Sequence, residues 1–103
     1  MTLLDICQKV IEIEGGLLNG EISFVYDNLM SAMKGGHPME ILDDILANIF
    51  WDVQAGREPS EKALKKTLKE LKSFKRAFKI KEVLEPIKML EEYIANLTPH
   101  DPE

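Results

Sequence analysis

The sequence predicts an all-α protein, an antiparallel bundle of four to five helices. Three observations carry that prediction. Apolar residues recur at three- and four-residue spacing in successive stretches of the chain. Glycine, proline and serine fall between most of these stretches, where helices start and stop. The chain is 45% apolar and 30% charged over 103 residues, which suits one water-soluble domain with a real core. That domain is expected to span residues 1–97, with 98–103 a flexible C-terminal tail.

The first helix is expected over residues 2–14. Thr2 followed by Asp5 resembles a capping box, with Asp in place of the usual Glu. Leu3, Ile6, Cys7, Val10 and Ile13 form its apolar line, and Gly15-Gly16 is read as its terminator. A second helix is expected over residues 21–34, with Ile22, Val25, Leu29 and Met33 on one face and Gly35-Gly36 ending it. The alternative is an α+β fold with a β-hairpin at residues 10–26, suggested by alternation at Ile11 and Ile13, by Asn19-Gly20 and by the strand-like Ile22–Tyr26.

The stretch from residue 38 to 55 reads as the central helix. Pro38 suits a first helical position, His37 a turn or cap, and Gly56 a C-terminal cap. Leu42, Ile45, Leu46, Ile49 and Val53 lie on one line. Met39, Ile41, Phe50 and Trp51 widen the apolar arc until only Glu40, Asp43, Asp44, Asn48 and Asp52 remain polar. A helix apolar nearly all round is expected to be touched on several sides, so Phe50 and Trp51 are assigned to the core. A fourth helix starts at Pro59 or with Ser60 as N-cap and runs to about Phe78, burying Leu64, Leu68, Leu71, Phe74 and Phe78. Val83 and Ile87 fall out of phase with that line, so the spacing predicts a turn near residues 79–82. A fifth helix follows, with Pro86 in its first turn.

Composition narrows the function. No apolar run approaches the ~18 residues of a membrane span. The N-terminal residues lack the features of a secretory signal, and the expected location is cytoplasmic. Cys7 is the only cysteine, which excludes an internal disulfide and a cysteine-built zinc site.

The net charge of −5 conceals a strong partition. Residues 1–56 carry −7, residues 57–81 carry +7, and residues 82–103 carry −5. The basic block places Lys62, Lys65, Lys69, Lys72, Arg76 and Lys79 on one helical stripe about 25 Å long. These six residues are the candidate partner-binding set. The stripe has one arginine and no interleaved aromatic, which suits phosphate or carboxylate contact better than base reading.

Glu40, Asp43 and Asp44 share part of a helix surface and are the candidate ligands for a hard cation such as Mg²⁺. The Glu40-x-x-Asp43 pair is similar to one found in all-α nucleoside triphosphate pyrophosphohydrolases. The likeness covers these two residues alone, because Glu12 and Glu14 lack the spacing of that family's upstream glutamate motif. It does not identify the family. Cys7 sits among apolar residues as a core thiol, and His37 and His100 form no catalytic spacing.

The expected function is a small non-catalytic protein–protein interaction or regulatory module, self-association included, with no cofactor. The alternative is a nucleic-acid-associated protein contacting phosphates through residues 59–81. A metal-dependent all-α hydrolase using Glu40 and Asp43 is the third.

Overall fold

A computed structural model describes residues 2–24 and 37–97. These form four α-helices, and no strand occurs among the described residues. Helix α1 spans Leu3–Leu18, α2 Pro38–Gln54, α3 Glu61–Phe78 and α4 Leu84–Leu97, with a single 3₁₀ turn at Lys81–Val83 before α4.

The helix starts are chemically explicit. Thr2 and Asp5 form the capping box: the Asp5 N–H donates to Thr2 Oγ1 at 3.2 Å, and the Thr2 N–H donates to Asp5 Oδ2 at 3.0 Å. The Met39 N–H donates to His37 Nδ1 at 3.0 Å, and Pro38 takes the first helical position. The Ala63 N–H donates to Ser60 Oγ at 3.1 Å, so Ser60 is the cap and Pro59 precedes it.

Two expectations about the first third of the chain are corrected. Helix α1 does not end at Gly15-Gly16 but continues to Leu18, which places Leu17 in the core. Gly16 is used for close approach instead: a Cβ there would lie 2.5 Å from Ile22 Cδ1 as the chain turns back over the helix. The true stop is Asn19 followed by Gly20, whose φ is +83°. The hairpin alternative is overturned where it can be seen, because residues 10–18 are helical. Residues 21–24 are not helical, and the rest of the expected second helix lies outside the described residues, as does the tail at 98–103.

The break between α3 and α4 falls where the phase change predicts it. Lys79 turns left-handed at φ 58°, Ile80 is extended, and the 3₁₀ turn leads into α4 with Pro86 in its first turn. This geometry drops Ile80 and Val83 into the core, at 1% and 0% exposure.

The helices close a ring: α1 packs on α2, α2 on α3, α3 on α4, and α4 back on α1. Across the α1/α2 groove Glu14 lies beside Asp43, and Ile11 lines the same groove as Ala47 and Trp51. Helix α2 makes the two most extensive helix–helix interfaces among the described residues, with α1 and with α3. Ile45, Leu46 and Ile49 are buried as expected, but α1 buries just as extensively through Ile6, Cys7, Val10, Ile13 and Leu17. Among the described residues the principal neighbours of α2 are α1 and α3, and part of its surface is exposed. Trp51 stands on it, 69% exposed, and its assignment to the core is corrected. No described helix is long and apolar enough to cross a membrane.

Candidate functional site

Helix α3 fixes the basic stripe by facing the opposite way with its apolar line. Leu64, Thr67, Leu71, Phe74 and Phe78 are buried, so Lys62, Lys65, Lys69, Lys72 and Arg76 project outward along the crest of the helix. Thr67 tolerates burial because its hydroxyl donates to Ala63 O at 2.9 Å. Lys79 continues the stripe from the left-handed cap position and is exposed.

Neutralisation along the crest is partial. Lys65 pairs with Glu61 at 3.0 Å within the helix, and Lys72 reaches across to Glu91 of α4 at 2.9 Å. Among the described residues Lys62, Lys66, Lys69, Arg76 and Lys79 have no ion-pair partner. Glu58 does not serve Lys62, because it accepts the Tyr93 hydroxyl at 2.6 Å, a bond that pushes the phenol up to about 12. Glu70 is likewise engaged elsewhere, accepting Asn48 Nδ2 at 2.8 Å between α3 and α2.

The acids of α2 are spread round the helix rather than gathered. Glu40, Asp43 and Asp44 are all exposed, with Asp43 on the α1 side and Asp44 bordering the α2/α3 cleft. Among the described residues no three acidic, histidine or cysteine side chains converge on a point that could hold a metal ion. Asp43 does gain a partner that reading by spacing missed. Glu14 of α1 lies against it, and burial with the nearby Asp43 carboxylate pushes Glu14 up to about 7. A hydrogen bond between the two carboxyl groups adds to the rise, and Glu14 Oε2 is buried. The signal was present in the sequence only as one glutamate at the edge of the α1 apolar arc.

Two clefts flank α2. The α2/α3 cleft, about 310 Å³, is lined by Ile41, Asp44, Ile45, Asn48, Glu70, Ser73 and Phe74, and the Asn48–Glu70 bond closes one side of it. The α1/α2 groove, about 210 Å³, is lined by Ile11, Asp43, Leu46, Ala47, Phe50 and Trp51. Phe50 and Trp51 meet edge to face with centroids 5.2 Å apart. Cys7 belongs to neither: it is fully buried, and burial pushes its thiol up to about 11, which keeps it protonated and inert.

The chain gives no significant match to a protein-family model, to a curated protein or to a solved structure.

Proposed function

We propose that this protein is a small protein–protein interaction module whose α3 crest docks on an acidic partner surface. The observation that carries the reading is the residual charge of that crest. Four cationic side chains of the crest, Lys62, Lys69, Arg76 and Lys79, stand exposed without an ion-pair partner among the described residues, although the chain as a whole has a charge of −5. Uncompensated like charge repels itself and destabilises the fold, so its retention favours a role outside the monomer. Lysine predominates, which suits carboxylates presented on a protein; base reading in nucleic acid draws on arginine and aromatic groups, and the crest has one arginine and no interleaved aromatic.

A direct test uses two probes at ~150 mM salt: a fluorescein-labelled poly-glutamate peptide and a 20-base-pair duplex of similar charge. The peptide is expected to bind and to compete with excess duplex, and Lys69→Glu with Arg76→Glu is expected to abolish its binding. Those two positions are chosen because neither side chain has an ion-pair partner among the described residues. Sub-micromolar duplex binding would transfer the crest to nucleic acid. Failure of both probes would leave it a solvated face.

A further inference from the structure

The α2/α3 cleft joins an apolar floor to a rim of one chemical kind. Ile41, Ile45 and Phe74 form the floor, all three buried residues of the core. The rim comes from Asp44 and Asn48, one turn apart on α2, and from Glu70 and Ser73 of α3. At about 310 Å³ the cleft lies at the small end of the ~300–1,000 Å³ range of ligand pockets.

Hydrogen bonds inside the fold leave that rim with acceptors to offer. Asn48 Nδ2 donates to Ile45 O at 2.9 Å and to Glu70 Oε1 at 2.8 Å, which engages both of its N–H groups. What remains of the amide is the acceptor Oδ1. Glu70 keeps its second carboxylate oxygen. The Asp44 side chain has no hydrogen bond and no ion pair among the described residues. Only the Ser73 hydroxyl also donates.

The charge of the rim is uncompensated as well. Among the described residues no lysine, arginine or histidine lines the cleft. Lys66, one turn before Glu70, forms no ion pair with it, and neither does the adjacent Lys69.

We propose that the α2/α3 cleft binds a small organic cation, a primary ammonium carried on a compact apolar body. The ammonium supplies three N–H donors and one positive charge, which complement the acceptors of Asp44, Asn48 and Glu70. The body covers the floor of Ile41, Ile45 and Phe74 and removes it from water. A bare metal ion does not fit, because no three acidic, histidine or cysteine side chains converge there among the described residues. A lysine side chain of a partner would reach the same carboxylates, but its unbranched four-carbon stem covers less of the floor. The cations of the α3 crest do not line the cleft, so the proposal does not rest on the proposed function above.

The test is a titration of the full chain with phenethylamine at ~150 mM salt, followed by backbone amide shifts in nuclear magnetic resonance. Phenethyl alcohol and hydrocinnamate keep the aromatic body and make the head group neutral or anionic, and N-acetyl-lysine amide presents the ammonium on a lysine stem. The amine is expected to saturate, with shifts centred on residues 41–48 and 70–74. It should bind about tenfold tighter than the alcohol, and the anion weakest. Asp44→Asn should weaken the amine about threefold and leave the alcohol unchanged, a split that general damage to the cleft would not give. Ser73→Phe should abolish binding of both by filling the cleft from its rim, with circular dichroism showing the helices intact. Amine and alcohol binding alike, shifts centred elsewhere, or no saturation by ~10 mM would overturn the proposal. Binding of N-acetyl-lysine amide as tight as that of phenethylamine would assign the cleft to a protein side chain and overturn it equally.

Discussion

Gly15 and Gly16 are neighbours in one helix with opposite roles. A Cβ at Gly15 meets nothing within 4 Å, whereas one at Gly16 meets Ile22 at 2.5 Å. Gly15→Ala is therefore expected to raise stability by about 1 kcal/mol, the helix-propensity gain. Gly16→Ala is expected to lower it by about 1 kcal/mol, because the overlap with Ile22 outweighs the same gain. Urea unfolding of the two variants checks both signs. A second residue-scale expectation concerns Glu14. Its carboxyl is pushed from 4.5 up to about 7 in the folded state, so the native protein holds this proton more tightly than the unfolded chain. The stability it contributes is complete below pH ~4.5 and is lost as pH rises through about 7. Glu14→Gln should leave stability unchanged near pH 4 and raise it by about 1 kcal/mol at pH 8, a figure reduced for partial solvent screening. A parallel pH dependence of the two proteins would show that burial and Asp43 do not raise the Glu14 carboxyl in the folded state. Neither feature was legible beforehand. A Gly-Gly pair reads as a helix stop until the returning chain is known, and the Glu14–Asp43 encounter joins residues of two helices that spacing cannot align.

At the scale of elements, three of the four helix starts were legible because they rest on contacts within three residues: Thr2 with Asp5, His37 with Met39, and Ser60 with Ala63. The break after α3 was legible from phase, but its chemistry was not. Lys79 occupies a left-handed conformation at φ 58° that glycine adopts without cost. Lys79→Gly is expected to stabilise the protein by about 1 kcal/mol, read as a higher denaturation midpoint. It should leave the crest otherwise intact, since Lys79 has no ion pair to lose among the described residues. The burial expected of Trp51 failed for a physical reason: hydrophobicity all round a helix does not specify which of its sides are covered. Trp51 stands on a side of α2 that its contacts with α1 and α3 leave uncovered among the described residues. Its buried side remains essential. Ile49 is 1% exposed, and Ile49→Ala is expected to cost about 2–5 kcal/mol by thermal or chemical unfolding.

Across the whole molecule, the ring order turns a partition in sequence into a partition in space. Helix α3 neighbours α2 and α4, so α1 is the member opposite it. The basic crest thus points away from the side that carries Asp5, Glu12 and Glu14. A molecule polarised in this way attracts its own copies head to tail. Such a contact is heterologous, and without closure it adds copies indefinitely rather than stopping at two. The net charge of −5 opposes the attraction at long range, while the crest favours it within a Debye length of about 8–10 Å at physiological salt. Screening decides between them. Light scattering is expected to show a monomer at ~150 mM salt. At ~10 mM salt, where the Debye length is about 30 Å, the mean mass is expected to rise with concentration without reaching a plateau. Lys69→Glu with Arg76→Glu should restore the monomer at both salt levels, because it weakens the positive pole without touching an ion pair among the described residues. A discrete dimer that persists in high salt would have a different origin. It would place the contact on apolar surface such as Trp51, and the charge partition would then serve only to choose partners.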